Sequence, residues 1–187
     1  AGVLNIVTKE PSEDTSGFID TSYFGGGDEK RVSAGISGSL NDSARGSLAV
    51  LWGDYDGNVT NVFNGDTGNG YNKKGIRGKL VLTPSDDLKV TFTADHLTSD
   101  DTIPVGVLYR NSTAAYPTGA VTPTNPAIVA GGSPVVAGEE NRQINHNLKT
   151  HVEDENQGLS AQLDWNIGDH TLTSITAYRT WENTQIQ

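Results

Sequence analysis

The sequence predicts an all-β fold, an antiparallel meander of about seven strands. Apolar and polar residues alternate with a period of two over most of seven segments, as in strands whose two faces meet different environments. The connectors between these segments are alternately short and long. The sequence contains no run of about 18 apolar residues, so it predicts no transmembrane helix. The predicted strands cover residues 18–24, 31–40, 45–55, 74–83, 88–97, 158–167 and 170 to about 181.

The alternation assigns an apolar face to six of the seven strands. The second strand is the cleanest, because serine or glycine separates its apolar positions. Leu51 blurs the third strand, and the seventh is too mixed for its faces to be assigned. The apolar positions are Ile19 and Tyr23 in the first strand, Val32, Ala34, Ile36 and Leu40 in the second, Leu48, Val50 and Trp52 in the third, Ile76, Leu80 and Leu82 in the fourth, Leu88, Val90, Phe92 and Ala94 in the fifth, and Leu159, Ala161, Leu163 and Trp165 in the sixth.

The connectors differ in length in a regular way. Tight turns follow the second, fourth and sixth strands, at residues 41–44, 84–87 and 168–169, the last with glycine where a type II′ hairpin turn requires it. Long polar loops, at about 56–73 and 99–157, follow the third and fifth strands. Short turns on one side and long loops on the other are typical of outer-membrane β-barrels, whose strands need only about 9–11 residues each.

Four segments, in this order along the chain, resemble TonB-dependent outer-membrane receptors. They are residues 2–9, 31–52, 78–88 and 172–179. The first belongs to residues 1–11, AGVLNIVTKEP, which read as a buried strand that stops at a proline. This stretch is similar to the end of the plug domain in that family, and the resemblance as a whole covers nearly the entire chain.

The resemblance implies both a fold and a function. Residues 1–11 would be the C-terminal end of a plug domain, and residues 12–187 the N-terminal part of a transmembrane β-barrel of about 22 strands. The family imports scarce nutrients, mainly iron chelates, across the outer membrane of Gram-negative bacteria. The resemblance therefore implies a receptor for a ferric siderophore or another nutrient, embedded in outer-membrane lipid. Its energy would come from TonB, which a plug segment outside this chain would contact.

Aromatic residues cluster near the predicted strand ends, as in the girdles that mark the two membrane interfaces. On the loop side these residues are Tyr23, Phe24, Trp52, Tyr55, Tyr178 and Trp181, and Trp165 lies beside a tight turn.

Charged residues are predicted on the polar faces of the fourth and fifth strands. Arg77, Lys79 and Lys89 would attract an anionic ligand there. Asp95 and Asp164 lie on the same kind of face, so ion pairing within the sheet or contact with the plug is the stronger interpretation.

Charge and composition exclude other classes of function. The net charge of −10 argues against binding to nucleic acid, which requires a basic surface. The absence of cysteine excludes disulfides and thiolate sites. No nucleophile elbow or other catalytic pattern occurs, so the sequence predicts neither an enzyme nor a cofactor.

One motif resembles the start of a calcium-binding loop. Asp54, Asp56 and Asn58, joined by Asp66, would supply oxygen ligands. The EF-hand pattern then fails at its glycine and glutamate positions, so a solvated acidic turn is the stronger interpretation. Two histidines in the longest loop, with acidic neighbours, match no standard metal-site spacing.

A soluble or cell-surface β domain, such as an adhesin or a carbohydrate-binding module, is the alternative to a receptor. In such a domain the apolar face should pack on a second sheet, and long loops should occur at both ends of the sheet.

Overall fold

The computed structural model describes residues 7–102, 105–111, 113–114, 121–122, 126–147 and 151–186. The elements are β1 Ser16–Phe24, β2 Glu29–Asn41, β3 Ala44–Tyr55, β4 Val59–Asn61, β5 Thr67–Gly68, β6 Tyr71–Ser85, β7 Leu88–Asp101, β8 Thr113–Ala114, β9 Val121–Thr122, α1 Pro126–Gly132, β10 Gln143–Ile144, β11 His151–Ile167 and β12 His170–Ile186. No helix among these residues is long and apolar enough to cross a membrane.

Seven strands form one antiparallel sheet in the order β1-β2-β3-β6-β7-β11-β12. Each long strand therefore pairs with the next long strand along the chain, which confirms the predicted meander. The strands extend further towards the long loops than the sequence predicted. β11 begins at His151 rather than near 158, because its first residues, although polar, still pair with β7 on one side and β12 on the other.

The three predicted tight turns occur at one end of the sheet. The Asn41 side chain accepts a hydrogen bond from the Ser43 amide at 2.9 Å, which closes the first turn. The β6–β7 pairing shifts register between Leu82 and Ser85, where proline removes a ladder donor. Gly168 has a φ of 61°, the left-handed region that the predicted hairpin turn requires. All longer connectors lie at the opposite end, which we call the loop end.

The register assigns every side chain of the sheet to one of two faces. One row of directly paired residues crosses the sheet from β2 to β12. Its members, in strand order, are Ser37, Ser47, Lys79, Thr93, Ser160 and Ala177. We call this side the polar face and the other the apolar face. The same register settles the faces of β12, which the sequence left open. Leu172 and Tyr178 lie on the apolar face, and Ile175, Arg179 and Trp181 on the polar face.

The apolar face is open along its whole length within the described residues. Ile19 is 79% exposed, Ile36 59% and Tyr178 71%. On β2 the apolar positions run from Val32 to Leu40, a length close to the roughly 9–11 residues of a membrane-spanning strand. Exposed apolar area of this extent marks a surface that contacts lipid or a protein partner.

The predicted aromatic girdle is only partly correct. Tyr23, Trp52 and Tyr178 lie on the apolar face near the loop end, and Trp165 lies on it near the turns. Phe24, Tyr55 and Trp181 instead lie on the polar face. The prediction counted distance from a strand end and ignored that neighbouring residues point to opposite faces.

The two long connectors contain structure that their polar, aperiodic sequences did not indicate. β10 pairs in parallel with β4, which pairs with β5, so residues from both connectors form one small sheet. Val59, Val135 and Ile144 are buried there, together with the polar Asn61. We call this unit, residues 56–70 with 126–147, the loop cluster.

The N-terminal residues do not continue the sheet. Residues 7–10 have no strand structure and Val7 is exposed, whereas Pro11 is fully buried. The strand predicted over residues 1–11 is thus wrong for this second half. Its first six residues lie outside the described part of the chain.

Candidate functional site

An extended segment, residues 7–15, crosses the polar face close to the tight turns. We call it the strap. Lys79 in β6 donates hydrogen bonds to the carbonyl oxygens of Thr8 at 2.8 Å and Lys9 at 3.2 Å. The Ser12 amide donates to the Ser37 hydroxyl at 2.8 Å, and the Ser39 hydroxyl donates to the Glu13 carbonyl at 2.8 Å. The strap is therefore fixed to β2 and β6 through both backbone and side-chain groups.

Glu10 is the electrostatic centre of the strap. Its carboxylate forms a hydrogen-bonded ion pair with Lys89 of β7 and lies 3.7 Å from the Arg45 guanidinium of β3. The hydrogen bond from Lys89 lowers the pKa of Glu10, and the positive charges of Lys89 and Arg45 add to this effect, whereas partial burial opposes it. The ionised carboxylate is thus the form that the sheet stabilises.

The strap leaves a cleft between itself and the polar face. The cleft has a volume of about 360 Å³, and Lys9, Phe18, Arg77 and Lys79 are among its lining residues. Val81, two positions beyond Lys79 on the same face, is 1% exposed, the most buried apolar side chain of the sheet. Within the described residues, Pro11 of the strap is the other fully buried side chain.

Further towards the loop end, ion pairs cross the polar face between neighbouring strands. Asp95 in β7 accepts two hydrogen bonds from Arg179 of β12, at 2.9 and 3.0 Å, and lies 3.7 Å from Arg77 of β6. Arg179 also donates to Asn156 of β11. This network links four strands.

The register confirms the face predicted for the charged residues, and the ion pairing predicted within the sheet occurs between Arg77 and Asp95. Lys79 and Lys89 contact the strap, and Arg77 pairs with Asp95. Asp164 differs, because its hydrogen-bond donors are the neutral side chains of Gln162 and Thr173.

At the loop end, the polar face carries a group of aromatic and charged side chains. We call Phe24, Glu29, Arg31, Tyr55, Tyr71 and Lys73 the aromatic cluster. The Tyr71 hydroxyl donates to Glu29 and accepts from Arg31 Nε at 2.9 Å. Arg31 also pairs with Glu29. The register places Arg31 and Lys73 on either side of Gly53.

Ring contacts complete this cluster. The Tyr55 and Tyr71 rings lie 5.7 Å apart between centroids and are tilted by 53°. Lys73 lies 4.6 Å above the Tyr71 ring, and the Arg31 guanidinium lies 5.9 Å from the Phe24 ring centroid. A side chain at Gly53 would come within 3.2 Å of the Tyr71 ring, so glycine provides the space that this ring occupies.

The calcium-site residues do not converge. Asp54 accepts a hydrogen bond from Asn72 at 2.9 Å, Asn58 accepts one from Asn69 at 3.1 Å, and Asp66 accepts one from Asn64 at 2.8 Å. Within the described residues, no three His, Cys, Asp or Glu side chains form a group that could hold a metal ion. The calcium site stays a prediction that this geometry does not support.

The two histidines of the predicted long loop, His146 and His151, have different partners. His151 belongs to β11, where its ring nitrogens lie 3.1 Å from Asp100 and 3.0 Å from Glu153. The backbone of His146 binds the Asn61 side chain in the loop cluster.

Sequence reasoning missed the aromatic cluster and the Asn61 contacts. Parity along each strand could have placed Phe24, Arg31 and Lys73 on one face, because residues two apart share a face. No sequence signal brings Asn61 to His146, which lies 85 positions away.

A two-faced meander with long loops at one end and tight turns at the other has the architecture of a section of a β-barrel. The comparison with solved structures agrees with this fold. No protein-family model matches the sequence, and no curated protein matches it. The structure matches the crystal structure of the ferric yersiniabactin uptake receptor FyuA from Yersinia pestis, with a TM-score of 0.70 and 19% sequence identity.

The extent of that match is unequal for the two chains. It covers 97% of this chain and 25% of the receptor, so this chain spans about a quarter of that receptor's length. At such low identity the likeness shows the fold alone. The predicted fold class is confirmed: an all-β antiparallel meander of the kind found in a barrel receptor.

Proposed function

We propose that this chain is part of a TonB-dependent outer-membrane receptor that takes up a scarce nutrient, an iron–siderophore complex in particular. The observation that carries the proposal is the fold match over 97% of the chain to an uptake receptor. The open apolar face would contact outer-membrane lipid, and the polar face would line the lumen.

The strap has a defined place in this proposal. Residues 1–11 would end the plug domain, and the barrel would begin at residue 12. The contacts of Lys79, Lys89 and Arg45 with residues 8–10 support this assignment, since they fix the segment to the polar face. TonB would act through plug residues outside this chain, in the outer membrane of a Gram-negative bacterium. The proposal includes no enzymatic activity.

The choice of an iron chelate as the nutrient has two sources of support. The matched receptor takes up ferric yersiniabactin, and the sequence resembles a family that imports mainly iron chelates.

No observation specifically favours the soluble β domain. Within the described residues no second sheet packs on the apolar face, and the long connectors leave one end only.

Uptake of radioactive iron by whole cells tests the function. Cells that carry the full-length gene should accumulate the chelate, and deletion of either that gene or the gene for TonB should abolish uptake. Radioactive cobalamin, offered to the same strains, separates iron transport from transport of another nutrient. Uptake of both that does not change on deletion would contradict the proposal.

A further inference from the structure

A histidine lies between two carboxylates where the sheet meets its longest connector, residues 102–150. His151, the first residue of β11, has Nδ1 3.1 Å from the Asp100 carboxylate of β7. Its Nε2 lies 3.0 Å from the Glu153 carboxylate of β11. The register places all three side chains on the apolar face, at its loop end. We call these three side chains the histidine clamp.

The two carboxylates of the clamp are placed where they should repel each other. Glu153 lies directly opposite Asp100 in the β7–β11 ladder. Like charges directly opposite each other destabilise a pair of strands. A positive charge between the two carboxylates would turn this repulsion into attraction, and the His151 ring is the group that lies between them.

The protonation state of the ring decides whether both contacts are favourable. A neutral imidazole has one N–H group, so it can donate to one carboxylate while a lone pair faces the other. An ionised carboxylate only accepts hydrogen bonds, so that second contact is repulsive. The imidazolium has an N–H on each nitrogen and can therefore bind Asp100 and Glu153 together.

The side chains around the clamp do not replace this charge. The residues directly paired with its members on β6 and β12 are uncharged: Asn72 faces Asp100, Thr184 faces Glu153 and Ile186 faces His151. One row further from the loop end, Glu155 and Glu182 are a second directly opposed pair of carboxylates, and His96 Nδ1 lies 3.8 Å from Glu155. The charged or titratable groups that share this end of the apolar face with the clamp are Lys30, Asp54, Lys74, His96, Glu155 and Glu182.

We propose that the histidine clamp is a pH-sensitive contact that fastens the last residues of β7 to the first residues of β11. Protonated His151 joins the strands through Asp100 and Glu153, and loss of the proton leaves two opposed carboxylates that repel. The 102–150 connector leaves β7 and returns to β11 here. Both of its ends therefore loosen together as the pH rises through about 5 to 8, the range in which histidine changes its charge. The clamp rests on contacts within the sheet and not on the proposed function.

Hydrogen exchange on the full-length protein in detergent tests the clamp at about pH 5.5 and 8. The readout is the protection factor, the exchange rate of an unfolded peptide divided by the measured rate at the same pH, so that the direct effect of pH on exchange cancels. Protection of residues 152–155 should be about threefold lower at the higher pH, the size expected for partly exposed ion pairs. Protection of residues 159–163, in the middle of β11, should not change.

Substitutions of His151 separate its charge from its shape. His151→Gln is neutral at both pH values, so protection of residues 152–155 should be low at both. His151→Lys is positive at both, so protection should stay high. The double variant Asp100→Asn with Glu153→Gln removes the carboxylates and should also abolish the pH dependence, which keeps the test valid if His151→Gln does not fold.

His170→Gln is the matched control. His170 is likewise the first residue of a long strand, β12, and forms no ion pair with the described residues. Its variant should keep the threefold change of the wild type. Equal protection at both pH values in the wild type would overturn the clamp, as would a change that persists in His151→Gln or in the double variant. Loss of the change in His170→Gln would also reject it, because the effect would then not belong to His151.

Discussion

The strap near the tight turns and the loop cluster at the other end both lie outside the seven-stranded sheet, but different contacts hold them in place. The strap is held by ammonium and guanidinium groups that meet backbone carbonyls and the Glu10 carboxylate. The loop cluster is held by a buried amide, Asn61, inside a small apolar core.

This difference in chemistry implies a difference in response to solution conditions. Charged contacts between partly exposed groups are weak and are screened by salt. A buried amide with satisfied partners is insensitive to salt and costly to remove. High salt or low pH should therefore release the strap from the sheet. The loop cluster should stay assembled at the same salt concentration and pH.

The largest expected effect comes from Asn61→Ala. The Asn61 side chain donates to the His146 carbonyl at 2.8 Å and accepts from the amides of His146 and Phe63. Its loss removes three hydrogen bonds of a buried side chain, at a cost of about 2–4 kcal/mol in the local stability of the loop cluster. Hydrogen exchange on the full-length protein would show faster exchange at Phe63 and His146.

Asn64→Ala is the matched control for that experiment. Asn64 also binds within the same connector, to Asp66, but it is exposed. Its removal should change exchange in the rest of the loop cluster little. Equal effects of the two substitutions would show that Asn61 has no special place in the cluster.

Next in size is the effect of Lys79→Met on the strap. Two carbonyl oxygens lose a charged donor, and we expect about 1–2 kcal/mol less local stability for residues 8–12. Hydrogen exchange at Ser12, whose amide binds Ser37, reports the loss. Lys74→Met, on the other face of the same strand, should leave that exchange rate unchanged, and a similar rate in both variants would contradict the assignment.

Salt sharpens the same comparison without a mutation. Raising the salt concentration from about 0.1 to 1 M shortens the screening length from about 10 to 3 Å. Exchange in the strap should become faster, while exchange in the loop cluster stays constant. A parallel change in both regions would mean that they share one kind of contact.

The smallest effect is the pH dependence of the Glu10 contact. The folded-state pKa of Glu10 lies below its ordinary value, so the contact contributes fully above the usual carboxylate pKa of about 4.3 and is lost as the pH falls through the lowered value. Because the ion pair is partly exposed, a double-mutant cycle with Glu10→Gln and Lys89→Met should give about 0.5 kcal/mol of coupling. Coupling that persists unchanged well below pH 4 would contradict this account.

The sequence predicted the sheet well and the connectors poorly, for one physical reason. Period-two alternation is local, so residues such as those between Val32 and Leu40 define both a strand and its faces. It also placed Lys79 and Lys89 on the face that meets the strap. The pairing of β4 with β10 depends instead on residues more than 80 positions apart, and neither short segment has a pattern that names its partner.

The candidate site shows the same limit. Phe24 and Trp181 were predicted at a lipid interface because they lie near strand ends, but register places both on the polar face. The contacts between Tyr71, Glu29 and Arg31 join strands that are distant in sequence, with β3 between β2 and β6. Only the assembled sheet reveals that these groups are neighbours.

Under the proposed function, the apolar face contacts lipid and the polar face does not. Single cysteines at consecutive positions of β11 test it directly, because the chain has no cysteine of its own. Spin labels at 159, 161 and 163 of the full-length protein in membranes should collide with oxygen dissolved in lipid. Labels at 160 and 162 should be shielded from lipid. Labels at 159, 161 and 163 that collide with a water-soluble nickel chelate as often as those at 160 and 162 would contradict the account.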